Sequence, residues 1–373
     1  MTTARDLPEV QSGSGWQFRF AGFAVSVPWN ALLGIAVIAL LWYPEFSGST
    51  TAVGQWALAA LFAVLLMVSI LIHELAHAFA ARAFRYPVAG ITLWAMGGFT
   101  TYRTTTRHGP LREAAIALAG PLATLVIAWI ARTAAVAVGP GIAGDVLVAL
   151  ASANFLVGLF NLLPGSPLDG GSVVKAIVWG ITGSPVTGQV VAAWVGRLLA
   201  IVIVVSPFAL ALQVGQPPSL MLIIVGVVLA MLLWTGATAS LRGARAAQLL
   251  GRVAADEMAR DIIPVTAATT VAQVLSVIRP DAHVVVVGTD GRPLGVVSEA
   301  AAAAVPQADR TRVTAHAVAV NISDGAPSLP ASASAQQVVD ACQETGSRFV
   351  FVTGVDGPPR IIDTDAAFVT EGP

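Results

Sequence analysis

Charged side chains are scarce in this chain, and that scarcity limits the class of protein it can be. Only 11% of its 373 residues are Asp, Glu, Lys or Arg, whereas 56% are hydrophobic. Soluble domains usually carry about 25% charged residues. The net charge of −1 and the lack of a basic cluster in the sequence give no support for a nucleic-acid partner. The composition instead indicates a polytopic α-helical membrane protein whose surroundings are a lipid bilayer.

Cysteine and lysine are almost missing, with one residue of each, Cys342 and Lys175. A single cysteine excludes an internal disulfide and a cysteine-based zinc finger. Arginine supplies nearly all of the positive charge, and together with abundant Ala, Val and Gly this bias is typical of GC-rich bacterial genomes. The first residues contain no apolar core followed by a cleavage site, so we expect no cleaved signal peptide.

Six apolar segments are long enough to cross a bilayer, which needs about 20 apolar residues. They are predicted at residues 25–43, 55–80, 112–138, 146–163, 195–212 and 220–238. The arginines near the segment ends are Arg5, Arg19, Arg82, Arg85, Arg103, Arg107, Arg242, Arg245 and Arg252, before the first segment and after the second and sixth. The loops after the first, third and fifth segments lack Lys and Arg, and only Arg132 departs from this pattern. The positive-inside rule therefore predicts a multi-pass protein of the bacterial plasma membrane with both termini in the cytosol.

The composition changes near residue 251, where Asp, Thr, Ser and Pro become frequent again. In this tail, residues 265–278 resemble 329–342, and residues 284–297 resemble 349–362. Each copy predicts a helix, a strand, an Asp-Gly turn (Asp290-Gly291 and Asp356-Gly357) and a second strand. The predicted organisation is a cytosolic segment at 1–20, a membrane domain at 21–240, a helical linker at 241–260, and two α/β units within 261–373, at about 261–305 and 315–370.

The second apolar segment contains ionisable residues, which are costly in a membrane and by default indicate a functional site. In its sequence HELAH, His73 and His77 are four residues apart and project from one face of a helix, with Glu74 beside them. In this H-E-x-x-H pattern the two histidines bind zinc and the glutamate is the general base. The alternative is that both histidines are hydrogen-bonded core residues and that the glutamate extends to the membrane surface. This alternative explains neither the spacing of the histidines nor the presence of a carboxylate within an apolar segment.

Catalytic zinc usually has three protein ligands and one open position, so a third ligand is needed. Between residues 48 and 255 the acidic residues are Glu74, Glu113, Asp145 and Asp169. Glu113 and Asp145 each open an apolar segment, where an acidic side chain stabilises a helix N-terminus. Asp169 follows the fourth segment in NLLPGSPLDGG, whose prolines and glycines are predicted to break any helix. In the predicted topology the second and fourth segments both run toward the cytosol, so Asp169 lies on the same side of the membrane as His77. Asp169 is therefore the predicted third ligand, with a turn-forming Asp-Gly as the alternative.

HELAH and NLLPGSPLDGG together resemble the site-2 proteases, a family of intramembrane zinc metalloproteases. The matching residues are His73, Glu74, His77, Asn161, Pro164, Asp169 and Gly170, and the resemblance covers about residues 15–240. It implies that His73, His77 and Asp169 hold one zinc ion per chain and that Glu74 is catalytic. It also implies a zinc metalloendopeptidase that cleaves a membrane-spanning protein substrate, usually an anti-sigma or pro-sigma factor.

Three further residues are candidates for contact with an oxyanion or a substrate. Asn161 could donate a hydrogen bond to the developing oxyanion, or it could cap a helix. Gly97 and Gly98 lie between β-prone residues within 90–103, a stretch that predicts either a juxtamembrane β-hairpin or a plain connector. A hairpin there would pair with an unwound substrate by β-augmentation. His108 is not expected to be a ligand, and Gly120-Pro121 is predicted to kink its helix for packing.

The repeat in the tail resembles paired CBS domains, modules that often bind adenosine nucleotides. Ala301 and Ala366 stand near the positions where that family commonly has a ribose-binding aspartate. Ser298 keeps the hydroxyl of the first unit, whereas Asp363 replaces it in the second and is expected to repel phosphate. A nucleotide sensor and a ligand-free module that dimerises the chain or gates the protease therefore both stay open.

Two other functions compete with the protease. A divalent-metal transporter regulated by CBS domains would also place His and Asp in membrane segments. Transporters tend to show repeated spans with a site near the midplane, and the HELAH segment has no second copy in the sequence. A catalytically inactive regulator would be expected to lose at least one of the four site residues, and all four are present.

Overall fold

The computed structural model describes residues 15–46, 51–95, 97–102, 109–322, 326–354 and 358–365. Some sequence predictions lie outside these residues, namely those on Arg5, Arg103, Arg107, His108, Asp356-Gly357 and Ala366. The chain divides into two compact units, Met1–Arg245 and Ala246–Pro373.

The first unit is mainly helical. Its helices are α1 Asn30–Trp42, α2 Ala52–Ala83, α3 Pro110–Val138, α4 Ile142–Asn161, α5 Asp169–Thr182, α6 Pro185–Val214 and α7 Leu220–Leu250. Five of these, α2, α3, α4, α6 and α7, are long and apolar enough to cross a membrane. Many of their large apolar side chains are exposed, as expected of surfaces that meet lipid. The unit therefore has the architecture of a polytopic membrane domain.

The predicted first membrane segment, 25–43, is only partly helical. Phe23–Pro28 is a strand, and α1 begins only at Asn30. Its 13 residues span about 20 Å, less than the ~30 Å of a bilayer core, and a short 3-10 turn, Tyr43–Phe46, extends it. The strand forms because Ala21 and Gly22 both have positive φ, which turns the chain tightly into a hairpin.

A four-stranded sheet lies beside α2. Its strands are β1 Gly15–Phe20, β2 Phe23–Pro28, β3 Val88–Trp94 and β4 Gly97–Tyr102, in the order β1-β2-β3-β4. β2 and β3 are parallel, and the other neighbours are antiparallel. The hairpin predicted within 90–103 is thus present as β3 and β4, and β4 is an edge of the sheet. The buried residues that join the sheet to α2 are Phe23, Val25, Met67, Leu75, Ala78, Ile91 and Leu93.

The prediction that the prolines and glycines after α4 break any helix is wrong for the last two glycines. Residues 162–168 are irregular, but α5 begins at Asp169 and includes Gly170 and Gly171. A Cβ on Gly170 would collide with the carbonyl oxygens of residues 162 and 163, and one on Gly171 with the backbone at Ser166. These glycines therefore let α5 start directly against the irregular segment, which sets where Asp169 stands.

The second unit contains two copies of one strand–helix–hairpin pattern. The first copy is β5 Asp261–Thr266, α9 Val271–Val277, β6 Ala282–Val287 and β7 Pro293–Val297. The second copy is β9 Ser328–Pro330, α11 Ala335–Thr345, β10 Phe349–Thr353 and β11 Arg360–Asp363. Other elements of this unit are α8 Ala255–Met258, α10 Glu299–Ala304 and β8 Ala319–Asn321. The sheets have the orders β5-β6-β7-β8 and β11-β10-β9. α9 and α11 each begin with a capping box, in which Gln273 pairs with Thr270 and Gln337 with Ser334. The recurring glutamine of the sequence repeat is therefore a helix-start signal.

Candidate metal centre

α2 brings the two histidines of HELAH together in the interior of the first unit. His73 and His77 are each 7% exposed, and their Nε2 atoms are 3.1 Å apart. Their spacing of four residues places them one turn apart on the same side of the helix. Both rings face α3 and the start of α5.

Asp169 completes a cluster of three possible ligands. Its Oδ2 lies 3.1 Å from Nε2 of His73, and its Oδ1 lies 3.4 Å from Nε2 of His77. Two ligand atoms bound at about 2.1 Å to a tetrahedral ion are about 3.4 Å apart. The three separations therefore fit one metal ion, and the donor set of two imidazoles and a carboxylate suits zinc. Sequence reasoning had identified these three residues; their role as ligands remains a prediction.

α3 orients both imidazoles through their other ring nitrogens. Nδ1 of His77 donates to the carbonyl oxygen of Ile116 at 2.7 Å, which forces the proton onto Nδ1. Thr124 donates its hydroxyl hydrogen to the carbonyl of Gly120, so at 2.8 Å its oxygen accepts from Nδ1 of His73. In neutral rings both Nε2 atoms are then free of hydrogen, and they point toward Asp169. This is the tautomer that a metal ion requires.

Gly120 provides the space in front of the two histidines. A Cβ at this position would collide with Nε2 of His77 and would lie 2.6 Å from Nε2 of His73. Sequence reasoning assigned Gly120 only to helix packing and missed this contact. The signal available in the sequence was the Gly-Pro pair inside an apolar helix, which does not distinguish a kink from a cavity.

Glu74 is held by the edge strand β4. Its side chain is buried, and the hydroxyl of Thr100 lies 2.7 Å from Oε2 and 3.0 Å from the carbonyl oxygen of Glu74. A Cβ on Gly98 would lie 2.6 Å from Cγ of Glu74, so β4 packs tightly on this side chain. Gly98 is thus beside the glutamate, and its predicted contact with the substrate stays a prediction. Thr100 carries no motif and was missed.

The other predicted residues lie at the ends of elements. Asn161 is the last residue of α4 and is half-buried, eight positions before Asp169. Gly97 begins β4 with a φ of 143°, and a Cβ there would meet nothing within 4 Å. Gly97 therefore serves the turn between β3 and β4.

The second unit contains a small cleft with its own ion pair. The cleft has a volume of about 200 Å³ and is lined by Arg260, His283, Ser298, Glu299, Arg348 and Asp363, among others. Asp363 accepts two hydrogen bonds of 2.7 Å from Arg348, so its charge is paired within the unit, and its expected repulsion of phosphate stays a prediction. Burial lowers the pKa of His283, and the positive charge of Arg260 adds to this effect. Ligand pockets usually measure about 300–1,000 Å³, so this cleft is small for a nucleotide.

Comparisons with known proteins agree with both units. Residues 61–142 and 137–205 match the profile of Peptidase family M50, and residues 252–304 match that of the CBS domain. The chain is 39% identical over 199 residues to Rip3 of Mycobacterium tuberculosis, which covers 50% of this chain and 49% of that protein. It is 34% identical over 180 residues to sll0528 of Synechocystis, which covers 47% of this chain and 46% of that protein. The names of both relatives assign them as zinc metalloproteases.

A solved structure of a site-2 protease from Methanocaldococcus jannaschii aligns with 61% of this chain and 96% of that one, at a TM-score of 0.43 and 23% identity. The chain spans about half the length of the curated relatives it matches. The resemblance seen in the motifs is confirmed by the matches to peptidase family M50 within residues 61–205 and to the CBS domain over residues 252–304.

Proposed function

We propose that this chain is an intramembrane zinc metalloendopeptidase, which cuts a peptide bond in or near the membrane-spanning segment of a protein substrate. The observation that carries the proposal is the convergence of Nε2 of His73, Nε2 of His77 and the carboxylate of Asp169 at separations of 3.1–3.4 Å. These three residues would hold one zinc ion per chain.

Glu74 is the proposed general base. Zinc bound by the three ligands would supply Lewis acidity that makes water a nucleophile near neutral pH and polarises the scissile carbonyl. Glu74 takes a proton from the attacking water and passes it to the leaving amine. The hydrogen bond from Thr100 holds Oε2 and leaves Oε1 to act as the base. Asn161 is a proposed donor to the oxyanion.

The edge strand β4 is the proposed docking place for an unwound substrate. Its side chains alternate between half-buried and exposed from Gly98 to Tyr102, and β3 pairs with only one of its sides. An extended peptide that pairs with the other side would run past Glu74, which Thr100 and Gly98 contact from the same strand. Main-chain hydrogen bonds of this kind bind a peptide without restricting its sequence.

The distance of the metal cluster from the helix ends supports entry of water and substrate from one side of the membrane. α5 runs from Asp169 back along α3, and a Cβ on Gly180 would lie 3.6 Å from the ring of Pro110, where α3 begins. Gly120 is ten residues further along α3, so the metal cluster lies about 15 Å inward from that end. α2 ends on the same side, at Ala83. We propose that this is the cytosolic side and that both termini lie there.

The C-terminal unit is the proposed regulatory part. A pair of CBS modules would gate the protease or join two chains as a homodimer. The small volume of the cleft favours a module without a nucleotide. Titration of the full chain with ATP, AMP and S-adenosylmethionine should then leave its thermal unfolding unchanged, and a stabilising shift with any of them would restore the sensor.

The experiment that tests the protease is cleavage of a tagged single-span substrate by the chain reconstituted in liposomes. Glu74→Gln should keep its zinc and lose cleavage by at least ~10²-fold, the lower range for a general base. Asp145→Asn removes an exposed carboxylate of the same unit and serves as the matched control with unchanged cleavage. Unchanged cleavage by Glu74→Gln, or zinc flux across the membrane without cleavage, would defeat the proposal, and the latter would favour a metal transporter. The expected physiological substrate is a single-span regulator such as an anti-sigma or pro-sigma factor.

A further inference from the structure

The only lysine of the chain forms an ion pair inside the apolar unit. Lys175 lies on α5, and its Nζ is 2.6 Å from Oε1 of Glu113 on α3. The two side chains are only 21% and 9% exposed. Sequence reasoning assigned Glu113 to the N-terminus of its helix, where it does lie, but the structure adds a charged partner. Charges within apolar helices are costly and usually mark a functional role.

Glu113 belongs to the face of α3 that supports the histidines. Positions 113, 116, 120 and 124 follow one another at intervals of three and four residues, so they lie along one side of the helix. From this side Ile116 and Thr124 accept hydrogen bonds from His77 and His73. Through Glu113 the same side of α3 also holds the helix that carries Asp169.

The ion pair is placed to fix the rotation of α5 about its own axis. Asp169 is the first residue of α5 and follows the irregular segment 162–168, which does not itself continue a helix. Lys175 comes six residues later, or about 240° around the helix, so the two side chains contact different neighbours. A rotation of about 20° would move a Cα, at a radius of about 2.3 Å, by about 0.8 Å. A metal site tolerates errors in ligand distance of only about 0.2 Å.

The close packing of α5 on its neighbours is less directional than the ion pair. Gly180 packs on the ring of Pro110, and a Cβ on Gly188 of α6 would collide with the carbonyl oxygen of Lys175. Such close packing fixes the separation of helices, whereas a short hydrogen bond between two charged groups also fixes their register.

We propose that Lys175 and Glu113 are positioning residues, which hold the carboxylate of Asp169 at the distance a metal ion requires. This inference rests on the proposed function, because it takes Asp169 as a zinc ligand.

The test compares metal binding by the purified full chain in lipid nanodiscs. The variants are Lys175→Met, Lys175→Arg, and the exchanged pair Glu113→Lys with Lys175→Glu. Arg292→Met, which breaks an exposed ion pair of the second unit, is the control. Each metal-free protein is titrated with Co²⁺, whose visible absorption reports the number and geometry of the ligands, and with Zn²⁺ in competition with a chelator. Cleavage of the model substrate gives kcat and KM separately.

We expect Lys175→Met to weaken Co²⁺ and Zn²⁺ binding 10- to 100-fold, the usual cost of losing a residue that orients a metal ligand. Its Co²⁺ spectrum should change, and kcat should fall more than KM rises. Lys175→Arg should stay within threefold of the wild type, the exchanged pair should recover at least part of the loss, and Arg292→Met should match the wild type. Metal binding and a Co²⁺ spectrum unchanged in Lys175→Met, or equal losses in Lys175→Met and Lys175→Arg, would overturn the inference.

Two further measurements keep the outcome decisive. Should Lys175→Met fail to fold, Glu113→Gln, which preserves the volume of the side chain, takes its place with the same expectations. Should the wild type bind neither metal, the proposed function fails, and the structural part of the inference, that the ion pair holds α5 in place, is judged from hydrogen exchange of the α5 amides in the metal-free proteins. At least tenfold faster exchange in Lys175→Met supports it, and equal exchange rejects it.

Discussion

The hydroxyl group of Thr100, on the edge strand β4, lies 2.7 Å from Oε2 of Glu74, on α2. This hydrogen bond joins the proposed general base to the strand along which the substrate is proposed to bind. The same hydroxyl also lies 3.0 Å from the carbonyl oxygen of Glu74, so its single hydrogen is shared between the backbone and the side chain of that residue. A change in the position of β4 would therefore change the position of the base.

Thr100→Val should reduce cleavage while leaving zinc in place. The change removes the hydroxyl and keeps the shape of the side chain, so the carboxylate loses one orienting hydrogen bond. A hydrogen bond to a charged group contributes about 1.5–3 kcal/mol, which corresponds to a fall in kcat of about 10- to 150-fold. Zinc content and cleavage kinetics of the reconstituted protein measure the two effects separately.

Thr101→Val is the matched control, because its side chain is the exposed neighbour on the same strand. It should cleave at a rate close to that of the wild type. Equal losses in the two variants would show that the strand, and not the contact with Glu74, is what matters.

Gly120→Ala should abolish metal binding. The added methyl group would collide with Nε2 of His77 and press on Nε2 of His73, so the two ligand atoms could not keep their separation of 3.1 Å. We expect less than one tenth of the wild-type zinc content by elemental analysis, with the helical circular dichroism preserved. Gly243→Ala, on α7 with open space around it, is the control and should retain full zinc. A Gly120→Ala protein with full zinc content would contradict the proposed position of the metal.

The three proposed ligands could be picked out from the sequence because each carries a local signal. His73, Glu74 and His77 form a motif whose spacing is itself the helical geometry, and Asp169 stood out because few carboxylates occur in the apolar unit. Thr100, Gly120 and Thr124 carry no comparable signal. Their residue types are common, and their contacts exist only after α2, α3 and β4 have packed together, so only the structure reveals them.

The fold was predictable where an apolar segment is long and ambiguous where it is short. The five long helices follow from runs that exceed the thickness of a bilayer, but residues 23–28 continue such a run and form a strand instead. A short apolar run fits a buried strand as well as a helix, and the tight turn at Ala21-Gly22 decides between them. Gly170 and Gly171 were predicted to break a helix but lie within one, because they are needed for close packing and not for flexibility.

Thr124→Val should weaken zinc binding without removing it. The valine cannot accept the hydrogen from Nδ1 of His73, so the ring loses the contact that selects its tautomer and its orientation. Loss of such a partner typically costs 10- to 100-fold in metal affinity. Thr124→Ser keeps the hydroxyl and should bind zinc within a few-fold of the wild type, measured by chelator competition. If valine and serine behave alike, the hydroxyl does not orient His73.

The ion pair of Arg348 and Asp363 should make the stability of the second unit depend on pH in the acid range. Burial opposes the charge of Asp363, but the hydrogen bonds and charge of Arg348 outweigh it and hold the pKa of Asp363 below its usual value near 3.9. A group with a lowered pKa in the folded state stabilises that state fully above its unfolded pKa and loses this contribution as the pH falls through the folded pKa. Asp363→Asn should therefore unfold at a lower temperature than the wild type at pH 7, and the difference should shrink once the pH falls below about 4.

Thermal unfolding of the full chain, followed by the near-ultraviolet signal or by limited proteolysis of the second unit, measures this difference. Asp290→Asn removes an exposed carboxylate of the same unit and should show no such dependence. A destabilisation by Asp363→Asn that stays constant from pH 7 to pH 3 would mean that the side chain stabilises the unit by packing and not by its charge.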